Sequence, residues 1–276
     1  MDDVAFSREL LQAKLLVELM SQAVHHELVL KGGLAMRAVL GSTRYTKDID
    51  LDAVTEASAG RIQGIVARSI ERVLGQPGLL DEAKVSTPKQ TETTMRWKVN
   101  GKAPGTDRPI TLTVEVSRLA WAAPFRTQEL ELTKEFAGGA ARGRVLVLDA
   151  QALAVCKVLA LTDPKRDAPR DLFDLSVLLE TELKDPARLL VSQPRERLEE
   201  ALSELWVKVE SMGYERFKAE VAPYLPLETA AAITEDAYSE MQVSVATNVD
   251  KWLADAIELQ EKTEAAGPPN KKSGAK

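Results

Sequence analysis

The sequence predicts an α+β fold: a mixed sheet with flanking helices, followed by a helical C-terminal domain. Three observations support this prediction. Residues 109–117 alternate between apolar and polar side chains, which is the period of a half-buried strand. Residues 5–24 and 58–75 carry apolar side chains three and four positions apart, which is the period of a helix. From Pro169 onward the spacing is helical almost throughout, with breaks near prolines.

The elements between these segments follow from the same periodicities. The predicted order is a helix over 5–24, a strand over 27–31, a short helix over 34–40, a strand over 48–52, a helix over 58–75, a β-patterned region over 83–118 with strands at 93–100 and 109–117, a strand over 145–148 and a helix over 150–161. We therefore expect an α/β domain over 1–148 and a helical domain over 149–266. The last ten residues, 267–276, are rich in glycine, proline and lysine and are expected to be disordered.

The composition is that of a globular protein. Of the 276 residues, 45% are hydrophobic and 28% are charged, which excludes disordered and fibrous proteins. No apolar run approaches the roughly 18 residues of a membrane span, and the acidic N-terminus shows no signal peptide. The single cysteine, Cys156, excludes an intramolecular disulfide, and His25 and His26 are adjacent and cannot form a dispersed metal site. We expect a cytoplasmic protein with no membrane partner.

The charge is unevenly distributed. The net charge of −6 falls on residues 181–276, whereas residues 1–180 carry equal numbers of basic and acidic side chains. Basic side chains cluster at 142–144 and 157–170, as a nucleotide or nucleic-acid site requires. The negative net charge argues against a protein that coats nucleic acid non-specifically, but it permits an enzyme that binds one end of an RNA.

The sharpest chemical feature is the pair Asp48 and Asp50. Residues two apart on a strand point to the same face, so both carboxylates project together, while Ile49 and Leu51 mark the other face as core. Glu115 lies on the polar face of a later strand and could complete a carboxylate site for Mg²⁺. The simpler alternatives are a solvated acidic strand edge for the aspartates and an exposed sheet-face charge for Glu115.

Two further features involve phosphate-binding chemistry. Gly32 and Gly33, at a strand end that opens a helix, let backbone N–H groups approach a phosphate, and Lys31 could add a cation. A plain turn is the alternative, and a dinucleotide-binding loop is excluded because the third glycine is missing. Lys157 lies in an otherwise apolar helical run, where it either extends to solvent or is directed at an anion.

The last feature is a charged helix start, Arg166-x-x-x-Arg170-Asp171-x-x-Asp174. Arg170 and Asp174 are four residues apart and would share one helix face, whereas Asp171 is rotated away from Arg170. A salt-bridged helix N-terminus is the simpler alternative, because acidic side chains are favoured there.

Taken in order, Lys31-Gly-Gly-Leu-Ala-Met-Arg37, Arg44-Tyr-Thr-Lys-Asp48-Ile-Asp50, Lys157 and the helix start ending at Asp174 closely resemble the AbiEii-type (MenT-like) nucleotidyltransferases. These are the toxins of type IV toxin–antitoxin systems, within the DNA polymerase β-like superfamily. The resemblance covers residues 31–174 and implies the superfamily's sheet for the first domain.

The resemblance implies a role for each matching residue. Gly32 and Gly33 would hold the phosphates of a nucleoside triphosphate (NTP), with Lys31 beside them. Asp48 and Asp50 would bind Mg²⁺. Catalysis would involve these two aspartates together with Lys157 and Asp171. The remaining nucleotide-binding positions would be Thr46, Arg166, Arg170 and Asp174.

Two points do not follow from the family pattern. Leu34 stands where the family often has serine or threonine after the glycine pair, so a hydroxyl contact to the phosphates is missing. Glu115 as a third metal ligand follows from general polymerase-like logic.

The function implied by the resemblance is a growth-inhibiting or phage-defence toxin with a cognate antitoxin. It would transfer a nucleoside monophosphate, with a pyrimidine base, from NTP to the 3′ end of tRNA and block aminoacylation. Two alternatives stay open: transfer to a hydroxyl of a protein or small molecule, and a non-catalytic nucleotide-binding module.

Overall fold

A computed structural model of the chain describes residues 3–23, 27–53, 57–118 and 126–266. His25, His26 and the tail 267–276 lie outside these residues. The strands are β1 (Leu28–Lys31), β2 (Asp48–Ala53), β3 (Asp81–Gln90), β4 (Thr94–Lys102), β5 (Pro109–Ser117), β6 (Thr127–Glu131) and β7 (Arg144–Leu148). The helices are α1 (Asp3–Gln22), α2 (Gly32–Val39), α3 (Ala59–Leu74), α4 (Ala150–Leu161), α5 (Pro169–Leu179), α6 (Pro186–Leu190), α7 (Arg195–Ser211), α8 (Tyr214–Glu220), α9 (Leu227–Ala232) and α10 (Glu235–Ala266), with short 3-10 helices at Phe136–Gly139 and Ala222–Tyr224.

The seven strands form one mixed sheet in the order β3-β4-β5-β2-β1-β7-β6. The pairs β2/β5 and β1/β7 are parallel, and the other neighbours are antiparallel. The predicted mixed sheet with flanking helices is therefore confirmed. The two strands that carry the predicted carboxylates, β2 and β5, lie side by side in its centre.

The alternating pattern of the central strands separates a core face from a polar face. Ile49, Leu51, Leu112, Val114 and Val116 are fully buried. Helix α1 packs on β5 and β7 and also against α3, which covers this apolar face. Burial of each such side chain stabilises the fold by about 1.5–3 kcal/mol. The carboxylates of β2 and β5 are left on the opposite face.

After β7, all regular elements of the described residues are helices, as expected for the second part of the chain. Helix α4 packs on β7, α5 and α6, and the long helix α10 packs against α5, α6, α7 and α8. The domain boundary at 148/149 stays a prediction. Helix α4, which follows it, packs both against β7 and against α5 and α6.

Strand β6 was not predicted from the sequence. It pairs with β7 from Thr127 to Glu131 and forms one edge of the sheet. At the opposite edge, all ten residues of β3 are exposed. Among the described helices, none combines the length and the apolar character that crossing a membrane requires.

Candidate active site

A row of charged side chains crosses the polar face of the sheet. Strand register places Lys31 of β1, Asp50 of β2, Glu115 of β5 and Arg96 of β4 next to one another in that order. Asp48 lies two residues before Asp50 on the same face. The sheet therefore brings together the three carboxylates that were predicted for metal binding.

The cations at the two ends of this row already have partners. The Lys31 ammonium forms an ion pair with Asp52 and lies 3.3 Å from the Ser117 hydroxyl. Arg96 donates from Nε to Glu115 at 2.7 Å, and a second, shorter bond comes from its Nη2. Asp48 and Asp50 are left between them as the acidic centre of the face.

The environment of Asp50 disfavours its negative charge. Burial raises the pKa of Asp50, and the nearby Asp48 carboxylate raises it further, to about 6, against the opposing attraction of Lys31. A cation bound at this position would relieve both effects.

The glycine pair makes room for two side chains of the site. Gly32 opens α2 with a φ of +70°, and a Cβ there would lie 2.4 Å from Oδ2 of Asp50. A Cβ on Gly33 would lie 2.7 Å from Nη2 of Arg44. No side chain caps the first turn of α2. These contacts explain the glycines without a ligand, and their predicted role as a phosphate cradle stays a prediction.

The loop between α2 and β2 carries Arg44, Tyr45 and Thr46. The Thr46 hydroxyl accepts a hydrogen bond from the backbone N–H of Asp48 at 3.3 Å. The backbone N–H of Tyr45 donates to the carbonyl of Tyr224 at 2.7 Å, which ties this loop to the C-terminal helices. Thr46 is thus held beside the aspartate pair.

A buried ionic network lies behind the loop. Arg44 binds both carboxylate oxygens of Asp174, each at 2.7 Å. Lys157 lies 2.6 Å from Asp174 and 2.9 Å from Asp171, and Arg166 donates to Asp171 at 2.7 Å. Both carboxylates are fully buried, so these cations are needed to keep them charged.

The network sets the charge state of its acids. Burial alone would raise the pKa of Asp171 and Asp174, but the attractions and hydrogen bonds of their cationic neighbours together outweigh it and lower both, with attraction to Lys157 the largest of them. Arg166 contributes further to the lowering at Asp171, and Arg44 does so at Asp174. Conversely, burial opposes the charge of Lys157, yet the two carboxylates raise its pKa above the ordinary value. Lys157 is therefore directed at anions, as the sequence favoured.

Arg170 differs from the other arginines of the site. It is exposed and forms no ion pair with any described residue. The carboxylate of Asp174, four residues later, binds Arg44 and Lys157 instead, so the helix start is not stabilised by an Arg170–Asp174 pair. Arg170 is thus a cation available to a ligand.

Two clefts meet at Asp48 and Arg170. The first, of about 460 Å³, lies between the 44–48 loop and the C-terminal helices and includes Tyr45 and Tyr224. The second, of about 580 Å³, lies over the polar face of the sheet and includes Asp50, Arg96, Lys98, Glu115 and Arg166. Asp48 is therefore reached from both clefts, whereas Asp50 lines only the second.

The residues fit a hard divalent cation shared with a ligand. Asp48 and Asp50 supply oxygen donors on one face, where negative charge is poorly compensated. Within the described ranges, no three acidic, histidine or cysteine side chains are grouped closely enough to hold a metal by themselves. Mg²⁺ commonly binds one or two carboxylates together with substrate phosphates, which matches this arrangement.

Sequence reasoning did not assign a site role to Arg44. Its motif was recognised, but its partner Asp174 is 130 residues away and no local pattern connects the two. The aromatic pair Tyr45 and Tyr224 was also missed for the same reason. The available signal was weak. Arg44 lies in a stretch without helical or strand period, and its burial, which would indicate an acidic partner, is known only from the structure.

The fold of the chain is similar to that of known proteins. No curated protein sequence matches the chain. JHP933 from Helicobacter pylori has a similar fold, with a TM-score of 0.54 and 17% sequence identity over 95% of each chain. MenT4, a nucleotidyltransferase toxin from Mycobacterium tuberculosis H37Rv, gives a TM-score of 0.49 and 17% identity over 96% of this chain and 94% of its own.

The family model of the nucleotidyl transferase AbiEii toxin of type IV toxin–antitoxin systems matches residues 14–257, which includes the sheet, the ionic network and most of the C-terminal helices. The match therefore extends well beyond the motif region 31–174. The chain belongs to the AbiEii family and is a nucleotidyltransferase toxin.

Proposed function

We propose that this nucleotidyltransferase transfers a nucleoside monophosphate, with a pyrimidine base, from NTP to the 3′ hydroxyl of tRNA, in a reaction that depends on Mg²⁺. The hydroxyl oxygen forms a phosphodiester with the α-phosphorus, and pyrophosphate leaves. The observation that carries the proposal is the junction of two clefts at Asp48 and Arg170. A nucleotidyl transfer brings two substrates to one phosphorus atom, and this junction admits two ligands. The enzyme would act in the cytoplasm, and blocked aminoacylation would arrest cell growth.

Asp48 and Asp50 hold the metal in this proposal. A metal held by these carboxylates would supply charge neutralisation for the phosphates and would lower the pKa of the attacking hydroxyl. Glu115 adjoins Asp50 across the strands but is held by Arg96, so it contributes to metal binding only if that pair opens. The chain's own carboxylates thus set where the α-phosphate lies.

The cations around the aspartates act on the triphosphate. Arg170 is free to bind the phosphates directly. Arg166 is about two-fifths exposed and can extend from Asp171 towards the same phosphates. Lys31, Gly32 and Gly33 border the site on the side of α2, where the uncapped helix N-terminus favours an anion.

Lys157, Asp171 and Asp174 act from within the buried network. Their mutual ion pairs fix Arg166 on one side and Arg44 on the other. Arg44 positions the loop that carries Thr46 next to Asp48. We expect their removal to misplace the catalytic groups rather than to remove one charge.

The first cleft is suited to the base and ribose of the NTP. It exposes parts of the Tyr45 and Tyr224 side chains, and the Lys47 ammonium lies 5.1 Å from the centre of the Tyr224 ring. Nucleobases stack on such rings. The second cleft is then left for the acceptor.

The test is incubation of the purified protein with total tRNA and each α-labelled NTP in turn, with Mg²⁺ or with EDTA. We expect label in tRNA with one or two pyrimidine NTPs, no label with EDTA, and no label with the Asp48→Ala variant. Oxidation of the tRNA 3′ end with periodate should abolish labelling, since the terminal hydroxyl is consumed.

Other outcomes would separate the alternatives. Label in a protein or in a small molecule would move the acceptor and contradict the tRNA proposal while retaining the active site. Label with purine NTPs alone would contradict the pyrimidine preference. NTP binding that is unchanged in Asp48→Ala, without transfer to any acceptor, would favour a non-catalytic module.

Membership of a type IV toxin–antitoxin family implies a cognate antitoxin. Co-expression with the neighbouring gene product should relieve growth arrest if that protein is the antitoxin. Arrest that persists in the Asp48→Ala variant would show that toxicity does not come from the transferase site.

A further inference from the structure

The polar face of the sheet continues beyond the aspartates across β5, β4 and β3. Alternate residues of β4, from Thr94 to Asn100, and their register partners on β3 and β5 are all polar. We call this surface the open face: Lys84, Ser86, Lys89, Thr94, Arg96, Lys98, Asn100, Thr111, Thr113, Glu115 and Ser117. An apolar or peptide ligand would find no apolar pocket among these residues.

Three lysines of the open face have no ion-pair partner among the described residues. Lys84, Lys89 and Lys98 are exposed and form no ion pair with any residue that the structure describes. Lys98 lines the second cleft, next to Arg96 and Thr113. Three unpaired cations on one face contrast with the net charge of −6 of the whole chain.

These lysines lead towards the reaction centre. Register places Lys89 beside Arg96 and Lys98 beside Thr113, which in turn adjoins Asp48. Four strands spaced about 4.8 Å apart give a path of roughly 15 Å from β3 to β2. A path of this length accommodates the end of a single RNA strand but is too short for an extended RNA double helix.

The opposite wall of the path is also basic. Arg166 and Arg170, just before and at the start of α5, line the second cleft together with Arg96 and Lys98 of the sheet. Threonine and serine hydroxyls lie between the cations on the sheet. Phosphodiester backbones are bound by this combination of cations and hydroxyls without apolar contacts.

We infer that the open face binds the phosphodiester backbone of a single-stranded RNA 3′ end, with phosphates at Lys84, Lys89 and Lys98 and the terminal hydroxyl directed towards Asp48. This inference rests on the proposed function and adds the path of the acceptor to it. Because the contacts go to phosphates, binding is largely independent of base sequence. An acidic peptide is the competing ligand, and the test includes it.

The test measures binding without catalysis. A fluorescent single-stranded oligoribonucleotide with a free 3′ hydroxyl is titrated with the full chain, without NTP, at several salt concentrations. The variant Lys84→Gln/Lys89→Gln/Lys98→Gln is compared with Lys134→Gln/Lys184→Gln/Lys251→Gln. The control removes three exposed lysines that lie outside the sheet and form no ion pair with described residues.

We expect the open-face variant to bind at least about 10-fold more weakly at low salt, and to lose about 2 from the slope of log K against log salt, since each phosphate contact contributes about 0.7. The control variant should change Kd by less than about 2-fold. Unchanged affinity and slope in the open-face variant, or equal losses in both variants, would overturn the inference. Equally strong binding of polyglutamate would assign the surface to an acidic peptide.

Two further measurements keep the test decisive. Thermal unfolding of the open-face variant should match wild type, and Lys98→Arg should retain affinity that Lys98→Gln loses. The test also distinguishes failure of the proposed function from failure of this inference. If the wild type binds RNA at the open face but transfers nothing to RNA, the proposed tRNA activity is wrong and the inferred RNA-binding surface stands. Transfer to tRNA with unaltered KM for tRNA in the open-face variant would do the reverse.

Discussion

At Gly32 two separate constraints act on one residue. Its φ of +70° is costly for residues with a Cβ, and such a Cβ would lie 2.4 Å from the Asp50 carboxylate. Gly41 has nearly the same φ, +71°, but nothing lies within 4 Å of the position of its Cβ. The two glycines therefore allow the backbone strain to be separated from the contact with Asp50.

We predict that Gly41→Ala costs about 1 kcal/mol of the free energy of unfolding and leaves transferase activity intact. Gly32→Ala should cost a similar amount or more and also lower kcat at least about 10-fold, because Asp50 must move. Urea denaturation and steady-state rates check both. Equal activity of the two variants would show that the position of Asp50 next to Gly32 is unimportant.

How much of the site the sequence discloses depends on the range of each interaction. The strand period alone places Asp48, Asp50 and Glu115 on a polar face, because alternation is a local property. The Arg44–Asp174 pair joins residues 130 positions apart, and no local property encodes it. Lys157 is an intermediate case. Its apolar neighbours in the sequence predict that it is directed at an anion, but they do not identify that anion.

The same distinction holds for whole elements. The strand over 109–117 has a strong period, whereas the helix over 150–161 is a nearly continuous apolar run; both agree with the structure. Strand β6 has a half-buried pattern with a single apolar residue, Leu130, so its β structure depends on pairing with β7. Strand β3 is exposed along its whole length, so its register comes from β4 and not from its own sequence.

The short 3-10 helix Ala222–Tyr224 belongs to the C-terminal part but reaches the catalytic loop. The Tyr224 carbonyl accepts from Tyr45, and the Tyr224 side chain lines the first cleft with Asp48. Because backbone atoms make the connection, side-chain substitutions at Tyr224 should leave the loop in place.

We predict that Tyr224→Ala raises the KM for NTP about 10-fold, because base–aromatic stacking contributes about 1–3 kcal/mol. Tyr224→Phe keeps the ring and should retain the wild-type KM. The KM for tRNA should be unaffected in both variants, since the acceptor is assigned to the other cleft. Steady-state kinetics with each substrate varied in turn would disprove the assignment if the KM for tRNA rose instead.

On the scale of the whole molecule, the buried ionic network joins the sheet to the helices. Arg44 comes from the sheet part, whereas Lys157, Asp171 and Asp174 come from α4 and α5. Removing one member of a buried pair leaves an uncompensated charge, which costs about 3–5 kcal/mol. Stability of the chain should therefore depend on pH through these acids.

The direction of this pH dependence follows from the pKa values of Asp171 and Asp174, which are lower in the folded chain than the ordinary value for aspartate. Each acid then adds to the free energy of unfolding above the unfolded pKa, about 4, and the contribution disappears as pH falls through the lower folded pKa. We predict that Asp174→Asn is less stable than wild type at pH 7 by about 3 kcal/mol. It should also lose less stability than wild type between pH 5 and pH 2.

Chemical denaturation at several pH values measures both effects. Asp236→Asn is a suitable control, because Asp236 is exposed and has no ion pair with a described residue. Parallel pH profiles for wild type and Asp174→Asn would contradict the assigned role of the network.

The distance along the chain between Arg44 and Asp174 has a consequence for synthesis of the toxin. The loop that carries Thr46 is completed by a residue translated 130 codons after Arg44, and by the Tyr224 carbonyl still later. A nascent chain on the ribosome therefore holds both aspartates of β2 long before it can hold them in working order. We therefore expect chains that end before α5 to lack transferase activity, because they contain neither Asp171 nor Asp174.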